Sequence, residues 1–220
     1  MIAFLKKPTI TAIAVLALSG VAAQQASAAS IVTNGSFEVG TAGVITPNWA
    51  IFAGGLPGWT TTSGGIEIQT AGTVGLTPYD GAHYAELDGN TNYTMSQTVT
   101  LGVGRYTMSF AYSPRLANAA TNAVAYTLGS NLLGSLFVSS VAGPGTAPVT
   151  AVGAWTLITT NFTVTTAGQY DLSFAGGGSS DSYGGFVDAV NIAAVPVPAG
   201  GLLLLGALGG ITALRRRKSL

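Results

Sequence analysis

One eight-residue frame occurs twice in this chain and constrains its fold more than any other feature. Gly104-Arg-Tyr-Thr-Met-Ser-Phe-Ala111 and Gly168-Gln-Tyr-Asp-Leu-Ser-Phe-Ala175 share Gly-x-Tyr-x-(Met/Leu)-Ser-Phe-Ala. Each follows a Thr-Val-Thr segment, Thr98–Thr100 or Thr163–Thr165, through a short Gly-containing turn. In the first copy Tyr106, Met108, Phe110 and Tyr112 fall on one face of a period-two pattern, with Arg105, Thr107 and Ser109 opposite. In the second the inward set is Tyr170, Leu172 and Phe174. Strict alternation is the pattern of a strand buried on one side. The two copies read as equivalent hairpins, belonging either to two tandem modules or to two halves of one sandwich. A single half is too small to close a core, which favours one sandwich.

The rest of the interior agrees. His83–Asp88 places Ala85 and Leu87 on one face and Tyr84, Glu86 and Asp88 on the other. Further strands are expected at Ile31–Thr33, Gly65–Gln69, Thr94–Leu101, Val124–Leu128, Leu132–Val138, Thr156–Val164 and Gly185–Ile192, separated by Gly, Asn, Ser and Pro clusters. No helical period stands out between the two ends. The fold class is all-β: a two-sheet antiparallel β-sandwich of the jelly-roll type.

Both ends read differently. Residues 1–28 have a basic start (Lys6, Lys7), an apolar stretch from Ile10 to Leu18, and Ala26-Ser27-Ala28 as a small-x-small cleavage site. That is a secretory signal peptide, with cleavage after Ala29 as the near alternative. At the other end a Pro-rich stop precedes an uncharged run from Ala199 to Leu214, then Arg215, Arg216, Arg217 and Lys218. As a helix that run is roughly 24 Å long, slightly short of a ~30 Å hydrocarbon core. The basic cluster would stay on the cytoplasmic side. The expected organisation is therefore 1–28 signal peptide, 29–194 sandwich, and 195–220 C-terminal signal with an apolar transmembrane helix.

Removing the ends changes what the charge means. Between Ser30 and Ala194 only Arg105 and Arg115 stand against eight carboxylates, a net charge of −6. So acidic a surface excludes nucleic acid as a partner and suits divalent cations. With no cysteine, the exported domain must hold together without disulfides.

The tail resembles the PEP-CTERM group of bacterial sorting signals, most closely its Val-Pro-Leu-Pro-Ala variant. Val195, Pro196, Val197, Pro198, Ala199 and Gly200 carry the likeness, with Val197 where the variant has Leu, followed by the apolar run and Arg215–Arg217. The resemblance implies an exosortase as partner, the inner membrane as an intermediate, and a final place at the cell surface or in the extracellular matrix with exopolysaccharide. The other reading is a plain membrane anchor. Changing Pro196 and Pro198 to Ala is expected to leave export intact and to accumulate an unprocessed membrane-bound precursor. Normal processing of that variant, seen on an immunoblot, would mean the Pro motif is not read.

The interior resembles exported galactose-binding-like jelly rolls related to carbohydrate-binding modules, and the choice-of-anchor proteins among them. Ile31-Val-Thr-Asn-Gly-Ser-Phe-Glu38, Gly58-Trp-Thr60, Tyr84-Ala-Glu-Leu-Asp-Gly-Asn90, Ser96-Gln-Thr-Val99 and Phe186-Val-Asp-Ala-Val190 carry it by their order. The resemblance implies a structural calcium joining first strand to last, at Asn34, Ser36, Glu38 and Asp188. Calcium takes six to eight oxygen ligands. The family often has two adjacent acids in its last strand, where here Asp188 precedes Ala189.

For a sugar site, aromatic side chains are needed beside polar groups. Trp49, Trp59, Tyr79, Tyr93 and Tyr183 lie in Gly/Pro/Asn-rich stretches where rings can project; Tyr79-Asp80-Gly81 and Asp181-Ser182-Tyr183 pair an aromatic with an acid, while Trp59 and Trp155 read better as core anchors. Enzyme chemistry has little support: there is one histidine, His83, which reads as structural, and no nucleophile motif. Glu86 and Asp88, two apart on one face, are the one carboxylate pair that glycoside hydrolysis could use. The expected function is thus a non-enzymatic exported surface or matrix protein. A specific carbohydrate-binding module is the alternative, and a glycan-acting hydrolase the third.

Overall fold

Alternating sequence becomes two facing sheets. In a computed structural model the described residues are 29–196 apart from 63, 116–119, 131–133 and 142–152. They contain strands β1 (Trp49–Phe52), β2 (Thr60–Thr61), β3 (Ile66–Gln69), β4 (Tyr84–Glu86), β5 (Thr94–Leu101), β6 (Gly104–Ser113), β7 (Ala123–Ser130), β8 (Gly134–Val141), β9 (Thr156–Val164), β10 (Gly168–Gly177) and β11 (Phe186–Ala194). One sheet runs β1-β3-β4-β11-β6-β9 and the other β2-β5-β10-β7-β8, with antiparallel pairing throughout. This is the expected β-sandwich jelly roll.

The repeated frame is not a pair of hairpins. β5 and β6 lie in different sheets, and so do β9 and β10. Each Thr-Val-Thr strand pairs instead with the Gly-x-Tyr strand of the other copy: β5 with β10, and β6 with β9. The two copies therefore interlock across one sandwich, so neither half could form alone. Their symmetry extends to the corners. Tyr106 Oη donates to the Gly102 carbonyl at 3.1 Å, and Tyr170 Oη to the Thr166 carbonyl at 2.7 Å, each four residues back. A tyrosine whose ring is buried needs its hydroxyl satisfied, and the turn before the strand supplies the acceptor.

Inward parity holds as expected. Tyr106, Met108 and Phe110 of β6 face Tyr170, Leu172 and Phe174 of β10 in a common core. Phe110 meets Phe174 edge-on across the sheets at 5.0 Å. Trp59 closes the core at one end, packed between Phe37 (5.7 Å) and Phe174 (6.1 Å), with its indole N–H donated to the Asn34 carbonyl at 3.0 Å.

Four elements differ from expectation. Ile31–Thr33 is not a strand, although Ile31 N–H reaches the Ile192 carbonyl at 2.8 Å and Val190 N–H reaches that of Gly35 at 2.9 Å. Asn34, Phe37 and Ala189 have left-handed φ of 53°, 62° and 49°, incompatible with a continuing ladder. A Cβ at Gly35 would stand 2.0 Å from the Val190 carbonyl oxygen, so only glycine allows this approach. The edge strands β1 and β2 are too short to show a period. The same is true of α1 (Ala71–Val74), a single turn that Thr70 caps through its side chain and Gly75 ends at φ 75°.

Candidate functional site

The outer face of the six-stranded sheet concentrates chemistry that ordinary solvated strands lack. Because Ile66, Ile68, Ala85, Leu87 and Val187 point into the core, Glu67 and Gln69 of β3, Tyr84 and Glu86 of β4, and Phe186 and Asp188 of β11 point outward. On β1, Trp49 stands opposite Gln69 on the same face.

At the centre sits Glu86, fully buried. Glu67 is its direct cross-strand neighbour, and Gln69 Nε2 donates to both carboxylates. Gly184 N–H reaches Glu86 Oε1 at 2.6 Å, and the Arg115 guanidinium pairs with both Glu86 oxygens. Burial pushes the Glu86 carboxyl up to about 8 against the downward pull of Arg115, and it also raises Glu67. Tyr93 Oη lies in the same pocket, bonded to the Glu67 N–H and the Glu86 carbonyl.

Aromatic rings flank this cluster on both sides. Tyr183 covers the Arg115 guanidinium at 4.6 Å, a cation–π contact, and stays 44% exposed. Beyond Tyr84 a second aromatic run begins. Phe186 and Trp155 meet Tyr84 at 5.0 and 5.8 Å, and Tyr79, 48% exposed, meets Trp155 at 6.2 Å. The Trp155 indole N–H donates to the Thr77 carbonyl at 2.7 Å. Trp49 adds a third open ring, 47% exposed. Trp59 is the core anchor that the sequence suggested, whereas Trp155 belongs to this outer face.

The residues expected to hold calcium do come together, but they face donors. Glu38 Oε1 accepts the N–H groups of Ala82 and His83 at 2.7 and 2.9 Å, and its Oε2 lies 2.7 Å from His83 Nδ1. Asp188 Oδ2 accepts those of Tyr79 and Asp80 at 2.8 and 3.0 Å, and its Oδ1 accepts that of Ala189. Ser36 Oγ donates to Asp80 Oδ2 at 2.7 Å, and Asn34 Oδ1 accepts the Val39 N–H. As placed, this set does not fit an ion: its oxygens receive N–H and O–H groups instead of enclosing a cation. Among the described residues no three His, Asp or Glu side chains gather as a metal group. Glu38 and Asp188 instead grip the two ends of the loop 79–83 and thereby position Tyr79. Burial raises the Asp188 carboxyl to about 7.

The structure thus places Tyr79 beside Asp80, which the Ser36 hydroxyl ties to the segment 34–38, and sets Tyr183 over Arg115. It brings neither tyrosine against the other. Trp49 is open, as its loop-like setting suggested, whereas Tyr93 is buried; sequence reasoning missed Arg115, Glu67 and Gln69. The available signal was Arg115 itself, one of two cations left after both ends are removed. Of the tail, Val195 donates its N–H to the Arg105 carbonyl at 2.8 Å and Pro196 follows. Val197, Pro198, Ala199, Gly200 and Arg215–Arg217 lie outside the described residues, as do 1–28.

No family model matches this chain, and no curated protein sequence matches it. Solved structures do. TmCBM61, a carbohydrate-binding module solved with β-1,4-galactotriose, aligns over 76% of this chain and 100% of its own length, at 16% identity and TM-score 0.50. A CBM4 module aligns over 74% of this chain at 17% identity and TM-score 0.42, and a family 16 carbohydrate-binding module over 74% at 13% and 0.44. At such identity the likeness to TmCBM61 is one of fold: the chain shares the jelly-roll sandwich of a carbohydrate-binding module.

Proposed function

We propose that residues 29–194 are a non-catalytic carbohydrate-binding domain, whose ligand lies on the outer face of the six-stranded sheet. The carrying observation is the placement of three open aromatic rings, Trp49, Tyr79 and Tyr183, around one buried acid–arginine cluster on that face. Sugars present apolar C–H faces and polar hydroxyls, so rigid rings beside fixed hydrogen-bonding groups suit them. The cluster supports the rings: Arg115, held by Glu86, is the platform under Tyr183, and the Asp188-held loop carries Tyr79. The fold neighbour TmCBM61 was solved with a β-1,4-galactan oligosaccharide, which makes neutral hexose polymers the first ligands to try.

Hydrolysis fits poorly. Glu86 and Asp88 are both fully buried, and their oxygens take the Gly184 and Asp181 N–H groups. A general acid must reach the glycosidic oxygen.

Around this domain we place the exported protein at the cell surface or matrix, with exopolysaccharide as partner and an exosortase acting on the tail. A glycan array tests the binding reading. Selective binding that falls at least tenfold in Tyr183→Ala or Tyr79→Ala is expected. An array without selective binding would leave a matrix protein with no sugar ligand of its own, and product release would revive the hydrolase.

A further inference from the structure

We propose that the recess over Arg105, at the end of β6 away from Ser113, is a subsite for the carboxylate of a uronic-acid sugar. The inference rests on the sugar-binding reading for its class of ligand, but not on the Tyr79 and Tyr183 platforms. Val195, Arg105 and Thr163 form one row across the outer face: the Val195 N–H meets the Arg105 carbonyl at 2.8 Å, and Arg105 pairs with Thr163. The next row on that face is Ala193, Thr107 and Asn161. Ala193 and Thr107 are short beside Arg105, so the surface dips there. A cavity of about 380 Å³ results, lined by Arg105, Asn161, Thr163 and Val195, with Tyr106 and Phe162 between them in the strands. That volume falls within the ~300–1,000 Å³ of small-ligand clefts.

The charge distribution points to an anion. Arg105 is exposed, and its guanidinium has no ion-pair or hydrogen-bond partner among the described residues, whereas the domain's other cation, Arg115, is paired with Glu86. The fold does not require a cation at this place. In the second copy of the repeated frame Gln169 holds it, opposite Thr100 as Arg105 is opposite Thr163. Every carboxylate of the domain except Asp171 lies on β3, β4, the start of β11 or the loops bonded to them, and Asp171 belongs to the other sheet. No acid occurs in β6, β9 or residues 189–195. The one uncompensated positive charge therefore stands apart from the acids, on the same outer face as the open rings.

The lining suits a sugar acid. A guanidinium presents paired N–H groups in the plane and spacing of a carboxylate. One guanidinium balances one negative charge, which matches a carboxylate better than a phosphate monoester carrying about −1.5 to −2. Asn161 Oδ1 accepts the Thr107 hydroxyl at 2.7 Å, so its Nδ2 is the donor left for a ligand, and the Thr163 hydroxyl is beside it. These neutral groups can meet ring hydroxyls while Arg105 holds the acid. Along β11 roughly 20 Å separate Val195 from Asp188, so the recess is distinct from the Tyr79 platform.

Separate titrations of the purified ¹⁵N-labelled protein with trigalacturonate and with β-1,4-galactotriose test the subsite. Trigalacturonate should shift the Arg105 Nε–H and Asn161 side-chain amide signals, and its binding should weaken as NaCl rises from about 50 to about 500 mM. Arg105→Gln, which reproduces the residue of the twin frame, should stay folded and bind trigalacturonate at least tenfold more weakly. Arg105→Lys, with the charge but not the fork, should lose part of the affinity, and Tyr183→Ala should lose none. Galactotriose binding that needs Tyr183, without any trigalacturonate response, would overturn the subsite and leave the ring platforms standing. Arg105-dependent trigalacturonate binding without galactotriose binding would support the subsite and discard the platforms. The proposal is also overturned if Arg105→Gln binds trigalacturonate like the wild type, or if anionic phospholipid vesicles engage Arg105 and trigalacturonate does not.

Discussion

Trp59→Ala is expected to destabilise the domain by about 3–5 kcal/mol, the largest single-residue effect in the sandwich. Trp59 is 1% exposed, and its ring bridges Phe37, on the irregular N-terminal segment, to Phe174 in the centre of β10. Truncation leaves a cavity bounded by those two rings, and it also strands the Asn34 carbonyl that accepted the indole N–H. Asn34 in turn holds the Val39 N–H and the Pro57 carbonyl, so the damage should spread into the turn at 34–39. At roughly 2–4 °C per kcal/mol for a domain of this size, the midpoint of a thermal melt should fall by about 10 °C. Trp59→Phe should cost clearly less, since most of the ring contact survives. A loss below about 1 kcal/mol for the alanine variant would mean that the N-terminal segment packs independently of the sheets.

Arg115→Ala should cost about 3 kcal/mol, for a different reason. It leaves the buried Glu86 carboxyl without its charged partner, and breaking one side of a buried pair typically costs about 3–5 kcal/mol. The low end applies because burial already holds Glu86 close to its neutral form. The diagnostic is non-additivity. Glu86→Gln in the Arg115→Ala background should recover about 1–2 kcal/mol, because no carboxyl then has to be protonated to stay buried. Additive losses in urea melts of the two single variants and the double variant would show that Arg115 acts by packing alone. The same substitution removes the platform under Tyr183, so glycan binding should weaken even at temperatures where the variant is fully folded.

What could be read from sequence follows from the length of the signal. β5, β6, β9, β10 and β11 are eight residues or longer, and their alternation places Tyr106, Phe110, Tyr170 and Phe174 in the core without error. Pairing was another matter. The repeated frame suggests a hairpin because its two strands adjoin in sequence, but a turn of two or three residues can equally carry the chain from one sheet to the other. Parity cannot tell these apart, since in either case the apolar side faces the core. The outer-face site was legible only in fragments. Tyr79, Asp80 and Tyr183 stood out by composition, while Arg115 gained its meaning only when β3 and β4 set Glu67 beside Glu86 and the chain after β6 brought Arg115 onto them. Gly35 and the left-handed Ala189 were likewise invisible as strand breakers until Val190 was seen to approach Gly35.

The central claim is that sugar binds the outer face of the six-stranded sheet, and the three tryptophans offer a direct test. Trp49 and Trp155 lie on or beside that face, whereas Trp59 is sealed in the core. Titrating ¹⁵N-labelled protein with the best glycan from the array should shift the indole signals of Trp155 and Trp49 while leaving that of Trp59 in place. Shifts confined to Thr98, Asp171 and their neighbours on the outer face of the five-stranded sheet would contradict the account.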